Sequence, residues 1–152
     1  MSRTPPPPGT LGRVPHSPRE AAYRATTYAA ADGSERLDIR IGARCARLDA
    51  LLAARGLAEW AYLTAHNPGG QLAAPAANAA AQARLEAEVV ASGHPWLRGA
   101  SCGDGGDWPP EPGLLVLGLA RDAALALGRR YGQEAIVTGR CQEAAELVFC
   151  EL

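Results

Sequence analysis

The chain has 152 residues, of which 47% are hydrophobic and 20% are charged, and its formal net charge is −1. This length predicts one domain with its own core, and this hydrophobic content excludes wholesale disorder. All 15 basic residues are arginines, and the near-zero net charge provides no bulk attraction to nucleic acid or to an anionic membrane. Neither is therefore an expected partner.

The N-terminal segment differs in composition from the rest of the chain. Residues 1–18 contain six of the 12 prolines, including the run from Pro5 to Pro8. A stretch with so much proline and so little apolar surface is extended or disordered. We predict a disordered Pro-rich tail over 1–18 and a single α+β domain over 19–152.

Cysteine usage and hydropathy indicate the compartment. The four cysteines form no CxxC pair, and Cys45 and Cys141 fall in periodic segments, where free cysteine packs as a small apolar residue. No apolar run approaches the roughly 18 residues of a membrane span, and the N-terminus has no apolar core of a secretory signal. These features predict a cytoplasmic protein with reduced thiols and no membrane association.

Hydrophobic periodicity and turn residues predict ten elements in the order ββαβαββαββ. The fold class is therefore α+β, with a single mixed sheet and about three helices. The apolar run at 114–119 is nearly continuous, which predicts a strand covered on both faces. The predicted strands cover 23–30, 37–41, 60–65, 96–102, 114–119, 134–138 and 145–150, and the predicted helices cover 44–55, 75–92 and 121–131.

The connections predict the directions of the middle strands. A helical crossover usually returns the chain parallel to its starting strand, so strand 96–102 should run parallel to strand 60–65. A tight turn reverses the direction, so strand 114–119 should be antiparallel to both. A second crossover makes strand 134–138 parallel to strand 114–119. The end of strand 60–65 should then lie at the same edge of the sheet as the starts of strands 114–119 and 134–138.

Polar side chains fall at this edge. The N-terminus of helix 75–92 points there as well, and its free N–H groups favour an anion. The aspartates of the glycine-rich turn at 103–107 belong to the same edge. We predict that the edge binds a small polar or anionic ligand, with a nucleotide as one candidate, through Asn67, Gln71, Asn78, Glu111 and Gln133.

Each of these residues also has a purely structural interpretation. Asn67 before a proline is a common turn opener, and Asn78 can help to satisfy the first helical turn. Gln133 after a glycine is typical of a helix stop, and the aspartates among glycines are typical of a surface turn. Prolines on both sides fix the backbone of Glu111, which would preorganise its carboxylate, but a solvated linker carboxylate is an equal alternative.

Most catalytic and cofactor signatures are missing from the sequence. A zinc site needs clustered ligands, and His66, His94 and Cys102 lack any usual ligand spacing. The chain has no Lys, which excludes a P-loop, and no GxGxxG precedes a helix. We predict no metal and no cofactor. The catalytic residues stay unknown, because the groups of a Ser/His/Asp or Cys/His arrangement meet only in space and the sequence has no local signature for one. Glu111 is a candidate acid or base beside the neighbouring amides.

Three segments resemble a known bacterial family. Residues 62–68 (YLTAHNP), 108–118 (WPPEPGLLVLG) and 131–137 (YGQEAIV) look like motifs of the domain of unknown function 3293 family (DUF3293), in the same order. The resemblance spans roughly residues 22 to 150. It implies a fold and a set of motif residues but no reaction, because the activity of the family is not established.

The chain departs from the pattern of that family at three positions. The first motif of the family continues as Asn-Pro-x-Ser, and here Gly70 takes the Ser position. The family carries a Glu-Asn pair in the following helix, where this chain has Ala77 before Asn78. The Glu-Pro motif is usually followed by Ser, and here Gly113 follows it. The resemblance therefore implies a site with fewer hydroxyl groups than the family pattern.

Two functions of different classes follow from these features. The first is the binding of a small polar ligand at the polar sheet edge. The alternative is a protein-interaction or regulatory module without catalysis, which uses the tail or the region around Trp96 and Trp108. A concave pocket that holds Glu111 and Asn67 would favour the ligand, and a flat edge with an exposed Trp108 would favour a protein partner.

Overall fold

A single seven-stranded sheet organises the computed structural model, which describes residues 19–106 and 108–150. Its order across the sheet is β2-β1-β4-β5-β3-β6-β7. The strands are β1 (Thr26–Asp32), β2 (Glu35–Ile39), β3 (Glu59–Leu63), β4 (Trp96–Gly103), β5 (Glu111–Leu117), β6 (Ala135–Arg140) and β7 (Glu146–Phe149). The helices are α1 (Glu20–Arg24), α2 (Ala46–Ala54), α3 (Pro75–Ser92) and α4 (Arg121–Arg130), with a 3₁₀ turn at Pro68–Gly70.

The α+β class, the single sheet and the predicted order of strands and long helices are confirmed. The predicted mixed pairing is not found, because every ladder between these strands is antiparallel. The directions themselves are as predicted: β4 runs the same way as β3, and β6 runs the same way as β5. However, β5 lies between β3 and β4, and β3 lies between β5 and β6. Each crossover therefore skips one position, and neighbouring strands are antiparallel.

The start of the first predicted strand is wrong, because helix α1 occupies its first residues. Tyr23 donates its backbone N–H to the carbonyl oxygen of Arg19 (3.0 Å), and Glu20 lies 3.7 Å from Arg24 one helical turn later. The two alanines between them are strong helix formers, and the Glu–Arg pair at this spacing adds support. The strand alternation starts only at Thr26. The predicted tail at 1–18 and the turn residue Asp107 lie outside the described residues, and the single domain over 19–152 stays a prediction.

Apolar clusters pack on both faces of the sheet. Side chains of β5 alternate between the two clusters, which confirms the predicted strand covered on both faces. α2 packs in the first cluster, and α3 and α4 pack in the second. The first cluster includes Leu48, Leu52, Leu115 and Leu117, and the second includes Leu85, Val89, Leu114, Val116 and Ala124.

The sheet curls until its two edge strands meet at one corner. Ile41, just beyond β2, forms a bridge with Ala145, just before β7. Gly42 donates its N–H to the Ala145 carbonyl oxygen (2.8 Å), and Ala145 donates its N–H to Ala43 (3.0 Å). These bonds satisfy backbone groups that an open edge would expose. Within residues 19–106 and 108–150, no helix has the length and apolar character needed to cross a membrane.

Candidate ligand-binding site

Three of the predicted polar side chains meet at one end of the sheet. Asn67 follows β3, Glu111 begins β5 and Gln133 precedes β6. The Nδ2 atom of Asn67 lies 2.9 Å from Oε2 of Glu111, although 44 residues separate them in the chain. The predicted convergence of these groups is therefore confirmed. It follows from the strand directions, which the lengths of the connections determine.

Asn67 is the centre of this polar cluster. Its backbone is in the left-handed region, with φ of 50°, which asparagine tolerates better than most residues. Its N–H donates to Oδ1 of Asn78 (2.9 Å), and its Oδ1 accepts from Nδ2 of Asn78 (2.8 Å) and from the N–H of Ala73 (2.9 Å). Asn67 is buried, so these bonds are shielded from water. The turn interpretation and the site interpretation of Asn67 are thus compatible.

Asn78 supports Asn67 rather than the cavity. It lies in the first turns of α3, and both of its polar side-chain atoms bond to Asn67. It does not line the cavity, and neither does any other described residue of α3. The anion expected at the N-terminus of this helix therefore has no support from the position of the helix.

Glu111 is held by two neutral donors. Its Oε2 atom accepts from Nδ2 of Asn67 (2.9 Å) and from the indole Nε1 of Trp108 (2.6 Å). Its Oε1 atom has no hydrogen-bond partner within the described part of the chain. The flanking prolines were the signal for a fixed carboxylate. The contribution of Trp108, three residues earlier, had no signal in the sequence.

Gln133 ties two loops together. Its Nε2 atom donates to the carbonyl oxygens of His66 (3.1 Å) and Tyr131 (3.3 Å). Nearby, Gly69 donates its N–H to the carbonyl oxygen of Gly132 at 2.8 Å. The loop after β3 and the loop before β6 are therefore joined by side-chain and backbone bonds.

Two other residues predicted at this edge, Gln71 and Asp104, do not bond to Asn67, Glu111 or Gln133 within the described part of the chain. Gln71 is exposed and does not line the cavity, because the chain leaves the 3₁₀ turn in an extended conformation there. Asp104 lines the cavity but bonds to the guanidinium of Arg40 at 2.8 and 3.0 Å. The hydrogen bond with Arg40 lowers the pKa of Asp104. Asp104 is thus a paired surface carboxylate.

Gln82 is a buried member of the polar cluster that the sequence reasoning missed. Its Oε1 atom accepts from the N–H of Ala65 (2.9 Å) and lies 3.3 Å from Nδ1 of His66. Gln82 lies four residues after Asn78 on the buried stripe of α3. Two amides at this spacing on an otherwise apolar stripe were the available signal.

A cavity of about 450 Å³ opens beside Asn67, Glu111 and Gln133. This size falls within the range of small-molecule pockets, which is roughly 300–1,000 Å³. Aromatic and aliphatic side chains of the first core cluster continue into its lining. These are Tyr28, Tyr62, Val137 and Leu147.

The residues before β1 form a second wall, which we call the N-terminal wall (Arg19, Ala22 and Tyr23). Arg19 donates from Nη1 to the carbonyl oxygen of Gly69 (2.8 Å) and to Oε2 of Glu134 (2.6 Å). The helix α1 thus lies against the loops after β3 and before β6. Its position closes one side of the cavity.

The tyrosines of the cavity are neutral, and their hydroxyl groups are partly shielded from water. Burial raises the pKa of Tyr23 to about 12, and the carboxylate of Glu134 adds to the shift. Burial also raises the pKa of Tyr28 and of Tyr62. The hydroxyl of Tyr62 donates to the carbonyl oxygen of Ala29 at 2.7 Å, so this ring spans from β3 to β1.

Two of the departures from the family pattern lie where this chain has close side-chain contacts. A β carbon at Gly113 would overlap Cε1 of Tyr62, so the ring of Tyr62 occupies that space. A β carbon at Gly70 would overlap Nη1 of Arg19. Glycine at these two positions therefore admits the tyrosine ring and the guanidinium group. The guanidinium is the flexible end of its side chain, whereas the tyrosine ring is fixed at both ends.

Fold and site together define a small α+β protein with one curled antiparallel sheet and, at one sheet end, a largely apolar cavity beside a cluster of polar side chains. Residues 63–136 match the family model described as "Protein of unknown function (DUF3293)", which confirms the predicted family. This stretch of the chain belongs to that family and contains Asn67, Asn78, Glu111 and Gln133. No curated protein and no solved structure matches the chain.

Proposed function

We propose that the protein binds a small polar ligand in the cavity beside Asn67 and Glu111. The observation that carries this proposal is the fixed carboxylate of Glu111, which lies at the wall of a cavity of about 450 Å³ and keeps one oxygen without a partner among the described residues. A binding site needs such preorganised polar groups on a largely apolar surface.

The roles of the polar residues follow from their bonds. Asn67 orients Glu111, and Asn78 orients Asn67, so both act as positioning residues. Glu111 and Gln133 are the groups that face the ligand. If the protein is an enzyme, Glu111 is the acid or base.

A protein-interaction role has less support. Trp108 is 40% exposed, but its indole N–H bonds to Glu111 and its ring lines the cavity. Trp96 lies at the start of β4, and Trp108 lies beyond the end of that strand. An eight-residue strand extends roughly 26 Å, so the two tryptophans do not form one patch.

A thermal-shift panel tests the proposal. The panel contains amines, amino acids, sugars and nucleotides, and we expect at least one compound to raise the melting temperature of the wild-type protein. Glu111→Gln keeps the shape of the side chain but removes its charge, and it should abolish this shift. Glu143→Gln is the matched control, because Glu143 is exposed and lies outside the cavity.

The folding of the variants is checked first by their melting temperatures without any compound. Equal shifts in the wild-type protein and in Glu111→Gln would contradict the proposed site. A panel in which no compound shifts the wild-type protein would contradict the proposal as a whole.

A further inference from the structure

We propose that the ligand of this cavity is an organic cation whose charged end carries several N–H donors, such as a guanidinium, an amidinium or a primary ammonium group. This inference rests on the proposed function and specifies the chemistry of its ligand. Three independent features of the cavity support it: the hydrogen-bond roles that remain free, the balance of charges and the aromatic lining.

The free hydrogen-bonding atoms of the two facing residues are acceptors. Nε2 of Gln133 contacts two carbonyl oxygens, so this end of the amide is the donor and Oε1 is the end without a partner in the described residues. Oε1 of Glu111 is likewise without a partner there. The amide donor of Asn67 and the indole donor of Trp108 are both used by Oε2 of Glu111. A ligand that satisfies the free atoms must supply donors.

His66 also lines the cavity, and its contact with Gln82 assigns a role to one of its ring nitrogens. Its Nδ1 atom lies 3.3 Å from Oε1 of Gln82, and that oxygen already accepts from the N–H of Ala65. Since Oε1 of Gln82 can only accept, Nδ1 of His66 is the donor of this contact. In the neutral imidazole the other ring nitrogen then accepts. The lining hydroxyl groups can take either role.

Among the described residues, the ion pairs of the lining leave the carboxylate of Glu111 without a cation. Arg19 pairs with Glu134, and Asp104 pairs with Arg40. Glu111 contacts only the neutral side chains of Asn67 and Trp108 within the described residues. A cationic ligand would pair with this carboxylate through charge-assisted hydrogen bonds, whereas an anion would be repelled by it.

The aromatic lining suits a cation as well. Trp108 and Tyr23 both line the cavity, and Trp108 is only partly covered. Indole and phenol rings attract cations through their electron-rich faces, and tryptophan does so best. The same faces bind the apolar stem of an organic cation, which distinguishes this ligand class from a metal ion.

The test compares cations with neutral analogues of nearly the same shape. The pairs are agmatine with N-carbamoylputrescine, arginine with citrulline, and benzamidine with benzamide, each measured by isothermal titration calorimetry on the full chain. We expect at least one cation to bind about tenfold or more tightly than its neutral analogue. Glu111→Gln should reduce that preference about tenfold, and Glu143→Gln should leave it unchanged.

A second pair of variants tests the aromatic contribution. Trp108→Phe keeps an aromatic face, and Trp108→Leu removes it; the partly exposed position makes both variants compatible with folding. We expect cation binding to weaken about two- to fivefold more in Trp108→Leu than in Trp108→Phe. Equal binding by these two variants would contradict the aromatic role and overturn the cation proposal in this form.

The outcomes separate the ligand class from the proposed function. AMP, titrated in the same way, is the anionic comparison. If neutral analogues or AMP bind more tightly than every cation, in a manner that depends on Glu111, the cation proposal is overturned and the cavity remains a ligand site. If no cation, neutral analogue or nucleotide binds at all, both proposals are overturned.

Discussion

The two walls of the cavity are built in different ways. One wall, which we call the network wall, carries Asn67 and Glu111. Behind it, the buried side chain of Asn78 orients Asn67, and Asn67 in turn orients Glu111. The N-terminal wall is held at its outer end by Arg19, whose side chain is 44% exposed and pairs with Glu134. The first wall lies inside the segment that matches the family model, and the second lies outside it.

This difference indicates which wall fixes the positions of the groups that would bind a ligand. A buried network loses several bonds when one member is removed, because the partners cannot turn to water. An exposed ion pair is solvated in either state and contributes little to stability. The network wall therefore fixes the geometry of Glu111, while the N-terminal wall provides cover that can vary at small cost.

The largest effect is expected at Asn67. Asn67→Ala removes the three side-chain bonds to Asn78, Ala73 and Glu111 and keeps the positive φ, so we expect a loss of about 3 kcal/mol in the free energy of unfolding. Asn67→Gly removes the same bonds but relieves the backbone, and it should lose about 1 kcal/mol less. Urea unfolding measures both. A loss below about 1 kcal/mol in Asn67→Ala would show that the network is not as tightly coupled as its bonds imply.

An intermediate effect on the free energy of unfolding is expected from Tyr23. Its pH dependence tests how far the N-terminal wall is shielded from water. The pKa of Tyr23 is about 12 in the folded protein, and it is near 10 in the unfolded chain. Its contribution to stability is therefore complete below about pH 10 and is lost as the pH rises toward 12, because the unfolded chain ionises first. Tyr23→Phe cannot ionise, so its stability should fall less between about pH 9 and pH 11, by about 1 kcal/mol.

The amino-acid composition reduces the number of other groups that titrate in this pH range. The chain has no Lys, so no lysine ammonium group titrates in the same range. Tyr62 is present in both proteins, and Tyr23 is not among the causes of its raised pKa, so its contribution cancels in the comparison. Tyr23 adds to the raised pKa of Tyr28, so the measured difference includes this coupling. Parallel pH profiles for the wild-type protein and Tyr23→Phe would mean that the N-terminal wall is open to water.

The smallest effect is expected at Arg19. Arg19→Ala removes an exposed ion pair with Glu134 and a bond to Gly69, and the free energy of unfolding should fall by less than about 1 kcal/mol. Arg36→Ala is the matched control, because Arg36 is also exposed and pairs with Asp38. A loss in Arg19→Ala as large as that in Asn67→Ala would remove the distinction between the two walls.

Much of the sheet could be predicted because strand direction depends on local connections. The turn between β4 and β5 and the helices α3 and α4 are visible in the pattern, and they determine that Asn67, Glu111 and Gln133 meet. The sequence does not show which strands are neighbours, because a crossover returns the chain to the sheet without specifying the position. That is why the directions were right and the mixed pairing was not.

Individual side chains were harder to place than strands. Gln71 lies only four residues after Asn67, but the extended backbone beyond the 3₁₀ turn leaves it exposed. The sequence offers Trp108 only as part of an alternative partner surface, yet in the structure its indole N–H bonds to Glu111. Both outcomes depend on loop conformation, which neither periodicity nor composition encodes.

The sequence by itself determined the seven strands, the three long helices, the strand directions and the end of the sheet where the polar groups gather, because these follow from periodicity and from connection length. Only the tertiary structure decided which of those groups bond to one another, that a short helix places Arg19 and Tyr23 in a second wall, and that a cavity remains beside them. These features arise from contacts between residues far apart in the chain, where the energy of a bond depends on burial and on the exact position of both partners.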